Sequence, residues 1–205
     1  MRKWLGTVCV ILGTLCLLGA IGFLVYNRWE AKQALTTVES MLQDVQSLID
    51  ETPSDTPPNV VQPDHLPGDA HEMATIQVDG YDCIGILSVP VLELELPVLT
   101  DWSYTKLKKA PCLYYGNCFE EDFVIAAHNY KSHFGRLPEL QAGDLVIFTD
   151  VTGNTYSYEV VLLETLPKEA TLEMITSGFD LSLYTCTPGG ANRVTVRCSL
   201  LENRK

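Results

Sequence analysis

Basic residues are scarce in this chain. Its 205 residues carry 14 Lys and Arg against 26 Asp and Glu, a formal net charge of −12. So acidic a chain offers no electrostatic footprint for nucleic acid, and anionic membrane surfaces repel it too. Paired Cys-x-x-Cys spacing is missing as well, so none of the seven cysteines sets up a zinc site of the usual kind. Charge is absent altogether from residues 4–26, a run of 23. At ~1.5 Å per helical residue, that run crosses the ~30 Å hydrocarbon core of a bilayer.

A secretory signal peptide has an apolar core of only ~7–15 residues. An uncleaved anchor is therefore the expectation, although Leu18-Gly19-Ala20 resembles a cleavage site. Arg2 and Lys3 precede the span and put the N-terminus in the cytoplasm; Arg28 and Lys32, just after it, pull the other way. Residues from Asn27 onward are then extracytoplasmic, and without Arg2 and Lys3 the remainder stands at −14. Cys9 and Cys16 fall within the span. The other five, Cys83, Cys112, Cys118, Cys186 and Cys198, are an odd number, so at least one free thiol is expected outside. Cys112 and Cys118, six apart, could close a small disulfide loop or stay free; spacing alone leaves both readings open.

Beyond the span, Leu35, Val38, Leu42, Val45 and Ile49 recur at helical steps and form one apolar seam. A coiled coil needs ~3–4 heptads, more than this seam covers, so a helical stalk packing on its own domain is expected. Residues 52–72 include five prolines and read as a linker. From about residue 75 the pattern becomes short apolar runs separated by turns: 75–78, 83–89, 94–99, 112–115, 122–128, 144–149, 155–163, 181–186 and 193–200. Residues 103–109 and 134–140 read as helical turns. So many short strands imply a closed or nearly closed β-barrel, though periodicity alone does not separate a barrel from a sandwich. The expected organisation is an anchor (1–27), a stalk (28–51), a linker (52–72) and one folded domain (73–205).

Three residues in that domain carry the chemistry. Cys186 ends the strand-like run 181–186, where a thiol is held rigidly yet remains reachable. A thiol of ordinary pKa, ~8.5, needs a neighbour to make it a thiolate. Of the four histidines, His65 and His71 lie in or beside the linker and His133 lies in a loop. His128 ends the apolar run 124–127 and is the candidate base. Arg193 opens the run after Pro188-Gly189-Gly190 and can stabilise a thiolate or an oxyanion. Arg197, four residues on, shares its strand face, but Arg193 lies nearer the cysteine end and is preferred. Thr185 and Thr187, flanking the cysteine, are candidate substrate contacts. Cys, His and Arg at three strand ends point to acyl transfer through a thioester.

The same residues carry a family resemblance. Ser182-Leu183-Tyr184-Thr185-Cys186 resembles the sortase signature Thr-Leu-x-Thr-Cys, with Ser for the first Thr. Residues 124–128, followed by Phe134-Gly135-Arg136-Leu137 and Gly143-Asp144, are similar to the stretch around the sortase histidine, with Ala127 where Gly is common. Arg193 falls where sortases place their arginine. The resemblance covers about residues 75–200 and implies a membrane-anchored cysteine transpeptidase with a β-barrel fold. Its partners would be secreted proteins bearing an Leu-Pro-x-Thr-Gly-like sorting signal and a cell-wall or pilin amine. A water-using cysteine peptidase and an inactive assembly domain are the competing readings. Some sortases carry an Asp-Pro-aromatic lid, which Asp64-His65-Leu66-Pro67 does not match. Some bind calcium through loop carboxylates; Glu120, Glu121 and Asp122 read instead as a solvated charge run, and no cofactor is expected. The segment 163–181 is the expected motif-reading loop.

Overall fold

A computed structural model of the chain describes residues 2–51 and 73–201. The linker expected over 52–72, with His65 and His71, lies outside the described residues. The chain divides into two units, residues 1–33 and 34–205.

The first unit is the N-terminal part of one helix, α1 (Arg2–Glu51). Its apolar side chains are uncovered: Ile11, Leu15, Leu18 and Phe23 are each more than half exposed. By length and composition this helix can cross a membrane.

In the second unit, nine strands form around one core. They are β1 (Ile76–Val78), β2 (Tyr81–Val89), β3 (Leu94–Leu99), β4 (Cys112–Tyr115), β5 (Phe123–Ala126), β6 (Leu145–Asp150), β7 (Thr155–Pro167), β8 (Leu181–Cys186) and β9 (Asn192–Leu200). Neighbours run β2-β3-β4-β5-β8-β9-β7-β6, and β6 pairs back onto β2, so eight strands close a barrel with β1 appended. Closure leaves those eight without a free edge. The alternating pattern explains which way each side chain points. In β8, Leu181, Leu183 and Thr185 turn into the barrel, while Ser182, Tyr184 and Cys186 occupy its outer face. Phe123 and Phe148 meet edge to face in the core, with centroids 5.1 Å apart.

The expected helical turns form at α2 (Tyr104–Leu107) and at a 3-10 turn, Leu137–Glu139. Ser103 caps α2: its Oγ accepts from the Lys106 N–H at 3.1 Å. Two further helical segments, Pro90–Leu92 and α3 (Thr171–Ile175), have too few residues to show a period in sequence. The expected loop over 163–181 is also shorter than anticipated. β7 continues to Pro167 because β9 pairs with it from Tyr158 as far as Pro167 opposite Asn192.

The second half of α1 packs on the barrel, but through a strip beside the expected seam. Ala34, Val38, Met41 and Val45 are buried, whereas Leu35 is 42 % exposed. Val38 joins the main core; Met41 and Val45 join a second cluster with Val78, Leu99 and Cys112. The described cysteines are free. Cys112 belongs to the second cluster and Cys118 to the main core, so the two thiols serve different packing layers. Burial pushes Cys83, Cys112 and Cys198 up to about 12 and Cys118 to about 11.

Candidate active site

Three adjacent strands deliver Cys186, His128 and Arg193 to one cleft on the outer face of the barrel. Cys186 lies directly opposite Arg193 in the antiparallel β8–β9 pair. β5 and β8 run parallel, with Ala126 opposite Tyr184. The contact continues beyond β5: the Ala127 N–H donates to the Tyr184 carbonyl at 3.1 Å. His128 stands two residues beyond Ala126, just past the end of β5, and Cys186 two residues beyond Tyr184 at the end of β8. β8 thus carries Cys186 between the segment that follows β5, with His128, and β9, with Arg193. All three side chains line a cleft of about 140 Å³.

Across the barrel, the cleft has two different walls. On the β5 side stand Trp102, Tyr104 and Tyr114, joined by Tyr184 from β8. These rings touch in a chain: Tyr104 to Trp102 at 5.9 Å, Trp102 to Tyr114 at 5.7 Å, Tyr114 to Tyr184 at 5.2 Å between centroids. A register shift between Leu113 and Tyr115, at Tyr114, marks a bulge of the kind that re-aims a side chain. On the β9 side, Pro167, Lys168, Ala170, Thr171 and Met174 form the opposite wall.

The two arginines on the outer face of β9 have separate fates. Arg193 reaches the cleft, and its Nη1 donates to the carbonyls of Gly190 and Asn192, each at 3.1 Å. Gly189 (φ 84°) and Gly190 (φ 75°) let the Pro188 turn reverse tightly enough to place it there. Arg197 is 2 % exposed and fully engaged. Its Nε donates to Glu164 Oε1 at 2.8 Å, Nη1 to Ser182 Oγ at 2.8 Å and to the Met174 carbonyl at 3.3 Å, and Nη2 to the Glu173 carbonyl at 2.9 Å. Those two carbonyls belong to α3, so Arg197 ties the far cleft wall to the barrel. Ser182, where the sortase signature has Thr, still supplies the hydroxyl this contact needs.

The flanking threonines sit away from the cleft lining. Thr185 is 2 % exposed, and its Oγ1 donates to the Ala127 carbonyl at 2.8 Å, clamping β8 to the segment that carries His128. Thr187 Oγ1 accepts from the Asn192 N–H at 3.1 Å and closes the turn before Arg193. Asp122, from the acidic run 120–122, accepts at Oδ1 from the Ser177 N–H (2.7 Å), the Ser177 hydroxyl (2.8 Å) and the Gly178 N–H (3.0 Å).

The loop after His128 is anchored by the motif residues that follow it. Phe134 and Leu137 are fully buried in the core. Arg136 Nη1 donates to the Leu92 carbonyl at 2.7 Å, and its Nε and Nη2 clasp the Glu139 carboxylate. Gly135 is required by close approach, because a Cβ there would meet the Asn129 carbonyl oxygen at 2.5 Å.

His133, assigned to a loop by sequence, is fully buried. Its ring lies 5.5 Å from Tyr130, whose own ring lies 5.0 Å from His128. Burial, then the nearby His128, lower its pKa from the ordinary 6.5 to about 4. The unfolded chain therefore takes up a proton at this position between about pH 6.5 and pH 4 that the folded chain refuses. Stability should fall as pH drops through that window, by roughly 3 kcal/mol at pH 4, and level off below it. Thermal melts of the wild type and His133→Gln across pH 4–7 check this, the variant being expected to show the shallower dependence.

Residues 87–201, more than half of the chain, match the Sortase domain. The chain belongs to the sortase family. No curated protein matches it. Among solved structures it resembles sortase A from Corynebacterium diphtheriae at 22 % identity and TM-score 0.51. That match covers 61 % of this chain and 64 % of the other, a little under two thirds of the relative's length. Sortase C1 from Streptococcus agalactiae matches at 24 % identity and TM-score 0.54, covering 62 % of this chain and 72 % of that one. A Clostridium perfringens sortase D5 transpeptidase matches at 19 % identity and TM-score 0.52, over 58 % and 79 % of the two chains. At these identities the structural likeness speaks for the shared barrel.

Proposed function

We propose that this sortase is a membrane-anchored cysteine transpeptidase, with Cys186 as nucleophile, His128 as general acid–base and Arg193 as oxyanion donor. The observation that carries the reading is that His128, Cys186 and Arg193, from the ends of three neighbouring strands, line one cleft. The Cys186 thiolate attacks the Thr carbonyl of an Leu-Pro-x-Thr-Gly-like signal, and Arg193 receives the developing oxyanion. As the peptide C–N bond breaks, the imidazolium of His128 protonates the leaving amine, and a thioester remains. An incoming primary amine then forms a new C–N bond, the C–S bond breaks with its electron pair on sulfur, and His128 takes the released proton.

Compartment follows from the anchor. The apolar part of α1 would hold the barrel at the outer membrane surface, with Tyr26 and Trp29, their rings 6.2 Å apart, at the membrane–water boundary. Secreted proteins crossing the membrane and an amine on the cell wall or a pilin are then within reach.

Mass spectrometry of the full chain with a library of Leu-Pro-x-Thr-Gly-type peptides and several amines tests the proposal. The expected products are an acyl adduct on Cys186 and amide-linked peptide–amine conjugates. Only carboxylic acid products at saturating amine would establish a hydrolytic peptidase instead, and no adduct with any peptide would refute the enzyme.

A further inference from the structure

We propose that Tyr130 is a positioning residue for the reaction: its ring is a fixed plate that orients the His128 imidazole and favours its protonated form. This rests on the reading of His128 as the general acid–base.

The loop that leaves β5 gives Tyr130 little freedom. Its carbonyl accepts two N–H groups, from His133 at 2.9 Å and from Gly135 at 2.8 Å. The His128 carbonyl accepts the Phe134 N–H at 3.1 Å, and Phe134 itself is fully buried in the core. A Cβ at Gly135 would meet the Tyr130 carbonyl carbon and oxygen at 2.8 Å, so the close approach that holds Tyr130 needs glycine. With its backbone fixed, the half-buried Tyr130 ring lies between two imidazoles. His133 is 5.5 Å away and His128 5.0 Å between centroids, with 31° between the His128 and Tyr130 planes. Rings side by side in one plane cannot come so close, and a 31° tilt is far from a T, so Tyr130 and His128 overlap as an offset stack.

A base paired with a nucleophile needs a third group to orient it, and the stacked ring supplies that constraint on His128. The ring also acts on the proton. The titratable groups that share the cleft with His128 are Tyr104 of α2, Tyr114 of β4, Lys168 just after β7, Tyr184 and Cys186 of β8, and Arg193 of β9. Among the described residues no Asp or Glu lines it. Lys168 and Arg193 are cations and oppose an imidazolium, whereas a Cys186 thiolate supports one. That support disappears during the reaction. The sulfur electron pair becomes the C–S bond, the carbonyl pair moves to oxygen beside Arg193, and the C–N bond then breaks with its pair on nitrogen. The Tyr130 ring face is negative throughout and attracts a cation within ~6 Å of its centroid. It therefore keeps the proton on His128 until the leaving nitrogen takes it. Behind the plate, His133 adds no competing charge near neutral pH, since burial and then His128 lower its pKa to about 4.

The test uses the full chain in detergent, isotope-labelled at its histidines and followed by NMR, with His128→Gln identifying the His128 signal. Removing a face that favours the charged form lowers the titration midpoint, so Tyr130→Leu should shift it down by roughly half a unit to one unit. Its kcat for Gly-fragment release should fall about tenfold, part of the roughly 10²–10⁴ that a positioned acid–base supplies, with KM for the sorting peptide within about twofold. Tyr130→Phe keeps the ring and should hold the midpoint within about 0.3 unit and kcat within about twofold. Pentafluorophenylalanine in place of Tyr130 keeps the shape and reverses the quadrupole. It should titrate like the leucine variant and melt like the phenylalanine one, and it carries the test if Tyr130→Leu folds poorly. An unchanged midpoint in the leucine and pentafluorophenylalanine variants overturns the proposal, as does a defect confined to KM or to melting temperature. A phenylalanine variant as impaired as the leucine one assigns the effect to the hydroxyl and overturns it too. A His128→Gln variant that still releases the Gly fragment defeats the acid–base reading itself, a result separate from the midpoint, which needs no turnover.

Discussion

Cys186→Ala leaves a folded barrel that forms no thioester. The expected loss is complete within detection, because no other described thiol lies in the cleft. Cys83, Cys112, Cys118 and Cys198 are buried in the two packing clusters, and burial holds them protonated well above neutral pH. Cys186 is part-exposed at a strand end, so its truncation removes few packing contacts. Intact-mass analysis after incubation with a sorting peptide reads the outcome directly, with thermal melting as the check on folding. Adduct formation by the alanine variant would remove Cys186 from the mechanism. Alanine at any of the four buried positions should keep the adduct and lose stability instead, by roughly 1–3 kcal/mol.

Arg193→Ala and Arg197→Ala should fail in opposite ways. Loss of an oxyanion donor costs on the order of 10²–10³ in rate, so Arg193→Ala should lower kcat/KM by that factor with little change in melting temperature. Arg193→Lys should recover only part of it, since an ammonium keeps the charge and loses the planar fork of donors. Arg197→Ala removes the cation from a buried cluster and strands Glu164, Ser182 and two α3 carbonyls without their donor. Breaking a buried pair in this way costs roughly 3–5 kcal/mol. Because Arg197 also holds α3, and α3 supplies one cleft wall, a secondary rise in KM for the sorting peptide should accompany it. Steady-state kinetics and denaturant unfolding on both variants separate the cases. A severe kinetic defect confined to Arg197→Ala, with normal stability, would reverse the assignment.

Both arginines share a face and lie four residues apart, and sequence could carry the distinction only so far. The short path from the Gly189-Gly190 turn favoured Arg193. What binds Arg197 comes from Glu164, Ser182 and α3, distant in sequence and met only in the barrel. His133 illustrates the same limit. In sequence it follows Lys131 and Ser132 in a polar loop, and no periodicity marks it as interior. It is buried beside Phe134, a core residue whose N–H donates to the His128 carbonyl and folds the turn inward. The helical seam missed by one position as well. Val38, Val45 and the half-buried Ile49 belong to both the predicted and the observed strip, and Ala34 and Met41 are buried beside them.

What sequence determined here is whatever local physics controls. Nine strands follow from short β-branched and aromatic runs bounded by turns, and an N-terminal helix apolar enough to cross a membrane follows from 23 uncharged residues. Cys186, His128 and Arg193 were visible as strand-end residues of the right chemistry. That they line one cleft was decided by tertiary structure. A parallel β5–β8 contact joins segments some sixty residues apart, Ala126 with Tyr184, and the β8–β9 register sets Cys186 against Arg193. The aromatic wall is wholly of that kind: Trp102, Tyr104, Tyr114 and Tyr184 share no period and no motif. Tyr114 meets Tyr184 only because strand pairing sets β4, β5 and β8 side by side, and pairing between strands is a non-local choice that no window of sequence contains.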